Sequence, residues 1–259
     1  WHDMCNKLIK QKETNPINKY QPTPRYQNPQ EKSKLVKLNI ACGPNIFPYS
    51  GWINYDHADF NQYFNFIRTI QTDNGMPDHQ KKLWNYVQQG GEIQYQQHNM
   101  TQPFTQHPDE SVDYIYVGRA IEHLSPIHQM PAFLKECHRM LKPGGILRMT
   151  TPDLQLLIDA FNSSQMDKFD DDQPEYYKKA CPSEKLSYLM FGAGGENCTQ
   201  QNYEGHFNLF TKTSMDRALE KAGFSKTVYY QEAGQGLNEI AQEVRDEGLS
   251  HSLCVEAVK

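Results

Sequence analysis

The residues best placed to do chemistry in this 259-residue chain lie in one stretch, LVKLNIACGPNIFPYSGWINYD, from Leu35 to Asp56. Leu35, Val36, Leu38 and Ile40 can fill a buried strand. The run breaks at Ala41-Cys42-Gly43-Pro44-Asn45, and a second short strand, Trp52 to Tyr55, ends on the carboxylate of Asp56. Strand, glycine turn, strand and acid is the layout of a nucleotide-type site at the carboxyl edge of an open α/β sheet. The glycine lets backbone approach a ligand closely, and the acid can accept both hydroxyls of a ribose.

A dinucleotide fingerprint would run from its glycine turn straight into a helix whose N-terminus faces a pyrophosphate. Here Pro44, Pro48 and Gly51 leave no room for that helix. A nicotinamide-dependent oxidoreductase is therefore disfavoured. A ligand with ribose and adenine but no phosphate fits better, and S-adenosylmethionine is the obvious candidate. The second chemical locus is Glu122-His123, beyond a strand at Val112 to Val117. His123 can serve as a general base for a protonated acceptor. The competing reading is that the Glu122-His123 pair anchors the loop and the start of the next helix. His206, Asp153 and Arg119 rank behind it. No metal-ligand constellation stands out, so metal-independent chemistry is expected.

Elements of alternating type position these residues. After the second strand, the aromatic residues Phe60, Tyr63, Phe64 and Phe66 lead to a helix near His79 to Gln88, ended by Gly90 and Gly91. A strand at Ile93 to Gln97 runs into His98-Asn99-Met100. Ser125-Pro126 can start a helical turn, and Pro131 predicts a restart. Met130, Phe133, Leu134, Cys137 and Met140 then recur at helical spacing. Leu141-Lys142-Pro143-Gly144-Gly145 predicts a sharp turn before a strand at Ile146 to Met149, and Asp153 can cap a helix reaching Phe161. Residues 162–205 break the rhythm with an acidic run at Asp170, a helix expected over Glu175 to Met190, and a glycine-rich stretch. An insertion of this length is more often functional than idle, and it could form a lid. Thr213 to Asp216 predicts a capping box for a helix closed by Gly223. Strands at Thr227 to Gln231 and Leu253 to Val258 are expected to pair antiparallel, with an amphipathic piece, Leu237 to Val244, between them.

Residues 1–34 are polar and contain Pro16, Pro22, Pro24 and Pro29. They form an N-terminal extension to a domain spanning 35–259, expected to pack on that domain or on a protein partner. The chain opens at Trp1, which allows for a removed organellar presequence. A net charge of −5 argues against general nucleic-acid binding. No apolar run approaches the length of a membrane span. Cys5, Cys42, Cys137, Cys181, Cys198 and Cys254 form no paired spacing. Reduced thiols in a reducing compartment, the cytoplasm or an organelle such as the mitochondrion, are expected.

Three blocks carry a family resemblance: LNIACGPNIFPYSGWINYD; DESVDYIYVGRAIEHLSPIHQMPAFLKECHRMLKPGGILRMTTPDL; and, more weakly, LMFG with GHFNLFTKTSMDRALEKAGF and SLCVEAVK. The chain resembles class I S-adenosylmethionine-dependent methyltransferases, in particular the methyltransferase-11-like group. The resemblance implies a Rossmann-like α/β fold: a mostly parallel seven-stranded sheet with an antiparallel last strand and helices on both faces. It implies that Ala41, Cys42 and Gly43 line the methionine part of the cofactor, that Asn45 also belongs to the cofactor site, and that Asp56 holds the ribose. It places Asn99 and Met100 at the adenine, and Val117 and Gly118 at the methyl-transfer face. The group usually has Gly at Ala41 and Asp at Asn99. The implied activity is methyl transfer to an unidentified small-molecule acceptor. The alternative is a weak or inactive methyltransferase-like subunit of a larger assembly.

Overall fold

The computed structural model describes residues 35–69, 78–171, 173–191, 205–244, 246 and 249–259. All of these fall within one compact unit. The N-terminal extension and most of the glycine-rich part of the insertion lie outside the described residues.

Seven strands form one sheet in the order β3-β2-β1-β4-β5-β7-β6. They are β1 (Lys37–Ile40), β2 (Trp52–Asp56), β3 (Tyr95–Gln97), β4 (Val112–Gly118), β5 (Leu141–Pro152), β6 (Lys226–Tyr230) and β7 (Ser252–Val258). Pairings from β3 through β5 are parallel, and only β7 runs against its neighbours. The sequence order therefore reverses at β1 and β4. The crevice at such a reversal, beyond the carboxyl ends of the strands, is where open α/β sheets bind ligands.

Among the described residues, seven α-helices accompany the strands: α1 (Asn61–Thr69), α2 (Asp78–Gln88), α3 (Gln129–Met140), α4 (Leu154–Asn162), α5 (Glu175–Lys178), α6 (Pro182–Phe191) and α7 (Lys212–Ala222). Leu38 and Ile40 of β1, Ile115 and Val117 of β4, and Leu147 and Met149 of β5 share one apolar face. It packs against Phe133, Leu134, Cys137 and Met140 of α3 and Met215 and Leu219 of α7. The opposite face carries Trp52, Tyr114, Tyr116 and Ile146. It is covered by Phe47 and by Ile240 and Val244, around a 3₁₀ turn at Glu239–Gln242.

Several expectations are corrected by the packing. The stretch after β2 holds a full helix, α1, where the sequence reading expected only an aromatic lead-in; Phe60, Tyr63, Phe64 and Ile67 cluster with Leu83 and Trp84 of α2. The helix expected over Glu175 to Met190 is two helices, because Pro182 starts a new one. The capping box is Thr211 with Ser214, two residues earlier than expected. The turn expected at Leu141 to Gly145 is an irregular part of β5: Val112 pairs Leu141 and Tyr114 pairs Ile146, so the extra residues bulge, with Gly144 at φ +78. Pro131 falls in the first turn of α3, where its missing N–H costs nothing. Asp170 is not merely a solvated charge, since with Asp167 it pairs the buried Lys185.

Two buried asparagines connect this scaffold to the first loop. Asn39 Nδ2 donates to Asn54 Oδ1 at 2.9 Å and to the Asn45 carbonyl at 2.7 Å. Asn54 Oδ1 also accepts the Phe47 N–H at 2.8 Å, and its Nδ2 donates to the Phe47 and Gln94 carbonyls. The side chains of β1 and β2 thus serve as partners for a loop that has no regular structure of its own. Asn54→Val is expected to leave the Phe47 N–H and Asn39 amide short of acceptors and to destabilise the protein by about 2–3 kcal/mol. Urea unfolding of both proteins checks this; a change under about 0.5 kcal/mol contradicts it.

Candidate active site

Asp56 closes β2 and is almost entirely buried. Its Oδ2 accepts the Gly43 N–H at 2.8 Å and its Oδ1 accepts the Ala58 N–H at 3.0 Å. The carboxylate is thereby held between the loop after β1 and the turn after β2. The loop follows as the residues dictate. Ala41 and Gly43 both adopt left-handed backbone, φ +53 and +50. The Cys42 N–H donates to the Tyr55 carbonyl, and the Asn45 N–H to that of Cys42. A side chain added at Gly43 would meet nothing within 4 Å, so open space lies beside its backbone.

The residues singled out from the sequence separate into groups here. Gly43 and Asp56 are in direct contact. Cys42 points the other way, into the cluster of Ile46, Phe60 and Phe64. Burial, then the Asp56 charge, push its thiol well above the ordinary range, so it stays protonated. Asn45 contributes its backbone, through the bond from Asn39. Asn99 is exposed in the turn after β3, while Met100 packs against the main core. Asn99 Oδ1 already accepts both the N–H and the hydroxyl of Thr101, each at 2.9 Å. The oxygen that would meet an adenine amino group is therefore in use within its own turn. Val117 is fully buried at the end of β4. Gly118 follows it, and any Cβ there would fall 2.7 Å from the Tyr116 hydroxyl. The strand end beside the crevice thus demands a glycine.

Beyond β4 the chain turns at Arg119, whose φ of +52 is strained for a side-chain-bearing residue. Arg119 N–H donates to the Thr150 carbonyl and its guanidinium to Ser252 Oγ at 2.7 Å. Its Nε lies 3.3 Å from Glu122 Oε1. Glu122 and His123 form a 3₁₀ turn at Ile121–His123. Burial raises the Glu122 pKa, opposed by the Arg119 charge. The Glu122 carbonyl accepts the N–H groups of Phe207 and Asn208, at 2.9 and 3.0 Å. This brings His206 beside His123, with ring centroids 5.0 Å apart. Burial lowers the pKa of His206 to about 4, aided by His123 and Arg119. His251 is lowered to about 4 by burial, then by Arg119 and His206.

His206 ranked second from sequence alone, and His251 was missed; neither carries a local motif. The sequence shows no metal-ligand constellation, but the fold brings one grouping together. Glu122, His123 and His206 each offer a ligand atom, and these atoms lie within 4.8 Å of one another. The residues are too far apart in sequence for spacing to show it.

Residues 56–149 match the family model described as a methyltransferase domain. Over this stretch, about a third of the chain, the sequence is similar to a methyltransferase domain. The chain is similar to a SAM-dependent methyltransferase from Archaeoglobus fulgidus, at 13% identity over 88% of this chain and 87% of that one, with a TM-score of 0.45. It is similar to an S-adenosylmethionine-dependent methyltransferase from Mesorhizobium loti, at 14% identity over 87% and 91%, with a TM-score of 0.45. A third similar structure is the Burkholderia thailandensis 1,6-didemethyltoxoflavin-N1-methyltransferase, at 12% identity over 86% and 70%, with a TM-score of 0.44. No curated protein matches the sequence of the methyltransferase-like chain.

Two measurements check the site's energetics. Ala41→Gly removes a Cβ from left-handed backbone, which costs roughly 1–2 kcal/mol, against a glycine entropy penalty of about 0.5–1 kcal/mol. A net gain of about 0.5–1 kcal/mol is expected in urea unfolding, and a loss contradicts the strain. The neutral His251 of the folded state stabilises fully above the ordinary imidazole value of 6.5, and this contribution is lost as pH falls toward about 4. His251→Gln is expected to flatten the fall of the urea midpoint across that window. An unchanged slope contradicts the assignment.

Proposed function

We propose that this protein is an S-adenosylmethionine-dependent methyltransferase acting on a small-molecule acceptor. The observation that carries the reading is the buried Asp56 carboxylate, fixed by the Gly43 and Ala58 N–H groups beside open space at Gly43. Oδ2 holds the Gly43 bond and keeps a further lone pair, while Oδ1 holds the Ala58 bond with the exposed His57 Nδ1 3.2 Å away, an arrangement in which ribose hydroxyls would replace the imidazole. These residues fit the cofactor: Asp56 would hold the ribose, the backbone of Ala41 to Gly43 the methionine part, Met100 the adenine side, and Val117 and Gly118 the transfer face.

When bound, the cofactor supplies a methyl on a positively charged sulfur that is already a strong leaving group. The chain then has to orient an acceptor and exclude water. Val117 and Tyr116 are buried on opposite faces of the sheet at the end of β4, so the strand end is apolar and rigid. His123 follows within five residues, with Nδ1 3.4 Å from the Gly205 carbonyl. An imidazole at this place is the side chain that would take a proton from a hydroxyl or amine acceptor.

A second reading, a weak or inactive methyltransferase-like subunit of a larger assembly, is favoured by the occupied Asn99 oxygen and the strained Ala41. Residues 1–34 would supply the partner contact. The buried free thiols Cys42, Cys137 and Cys254 support a reducing compartment for either.

Calorimetric titration with S-adenosylhomocysteine tests the first reading. One saturable site is expected on wild type. Asp56→Asn, which keeps the shape but loses the charge, should lose about 1.5–3 kcal/mol, roughly tenfold to hundredfold in affinity. No binding by folded wild-type protein contradicts the cofactor assignment and leaves the subunit reading.

A further inference from the structure

We propose that Glu122, His123 and His206 form a binding site for one divalent transition-metal ion, zinc foremost. Two imidazoles and one carboxylate are a donor set that suits borderline ions of this kind and not magnesium or calcium, which take oxygen ligands. The three ligand atoms already lie within 4.8 Å of one another. Donors at about 2.1 Å from a tetrahedral ion lie about 3.4 Å apart, so modest side-chain rotations close the site.

The backbone that carries these side chains is fixed. The Glu122 carbonyl accepts the Phe207 and Asn208 N–H groups, and the His206 N–H donates to the Phe191 carbonyl. The second ring nitrogens are arranged as metal-bound histidines require. His206 Nδ1 lies 2.9 Å from the Met190 carbonyl and His123 Nδ1 lies 3.4 Å from that of Gly205. Both contacts are to carbonyl acceptors, and the 2.9 Å one holds the His206 ring with Nδ1 as its N–H.

The independent pointer to a ligand is Glu122 itself. Its side chain is 0% exposed, and neither carboxylate oxygen takes a hydrogen bond of normal geometry, although the Thr151 hydroxyl and its own backbone N–H lie close enough to favour its charge. Arg119 is near enough to balance charge, 3.3 Å from Oε1, but is not aligned to donate. The Thr150 and Thr151 hydroxyls and the Asn208 amide nitrogen are buried and unpartnered at the same sheet edge. Buried polar groups left in this way call for a water or an ion. Three protein ligands leave a further coordination position open, as in catalytic rather than structural zinc sites. Metal on His123 Nε2 would occupy the lone pair a general base needs, so the two roles exclude each other.

The test uses the full chain, stripped of metal, and cobalt(II) as the probe, without cofactor, so that it stands apart from the methyltransferase reading. Visible d–d absorption and equilibrium dialysis should report one cobalt per chain, displaced by zinc. His206→Ala and Glu122→Gln are each expected to weaken binding roughly tenfold or more. His128→Ala, an exposed histidine outside the cluster, and Cys181→Ser, an exposed thiol, should leave it unchanged. Circular dichroism establishes that each variant is folded. Zinc should raise the melting temperature of wild type but not of the conservative His206→Gln. Failure of wild type to bind cobalt, or binding that survives both cluster variants, overturns the site and leaves Glu122 as the counter-ion of Arg119.

Discussion

The structure around the crevice depends on one charged contact, the Asp56 carboxylate shared between the Gly43 and Ala58 N–H groups. A carboxylate this deeply buried is costly unless its charge is met by aligned donors. The donors come from two loops without regular structure of their own at the sheet edge. The acid therefore orders the loops, and the loops orient the acid. Behind them, Asn39 and Asn54 replace an apolar pair in the sheet and hand their amides to residues 45–47. On the same face, Glu243 pairs Lys37 and accepts the Trp52 indole N–H at 2.7 Å, which ties the C-terminal half of the chain under β1 and β2.

The second constraint sits one strand away. β1 and β4 are neighbours, and each is followed by a residue in left-handed backbone, Ala41 and Arg119. Both turns are sharp because the chain must leave the sheet at the place where the strand order reverses. Strain of this kind persists where surrounding contacts over-determine it. At Arg119 these are the bond to the Thr150 carbonyl and the guanidinium contact with Ser252. The two loops leave neighbouring strands, one donating the Gly43 N–H to Asp56 and the other carrying the Glu122-His123 turn.

Much of this was legible in the residues because it rests on local signals. Alternating apolar runs marked the strands from β1 to β5, Asp153 and Gly223 marked helix ends, and strand-turn-acid marked the Asp56 site. The losses have physical causes. Helix α1 hid in a polar stretch, though Phe60, Tyr63, Phe64 and Ile67 sit at helical spacing. The bulge in β5 looks like a free turn until its pairing with β4 is known. The deepest loss is the Glu122, His123 and His206 cluster, which exists only because the Glu122 carbonyl captures the backbone of Phe207 and Asn208. No periodicity or motif encodes a contact between distant loops.

The most direct measurement of the central claim is backbone hydrogen exchange with and without S-adenosylhomocysteine. If the Asp56-anchored crevice is the cofactor site, protection should rise at the amides of Ala41 to Asn45, at His57 and Ala58, and at Gly118 and Arg119, with the buried strands unchanged. Protection that appears elsewhere, or none at all at saturating ligand, would contradict the account.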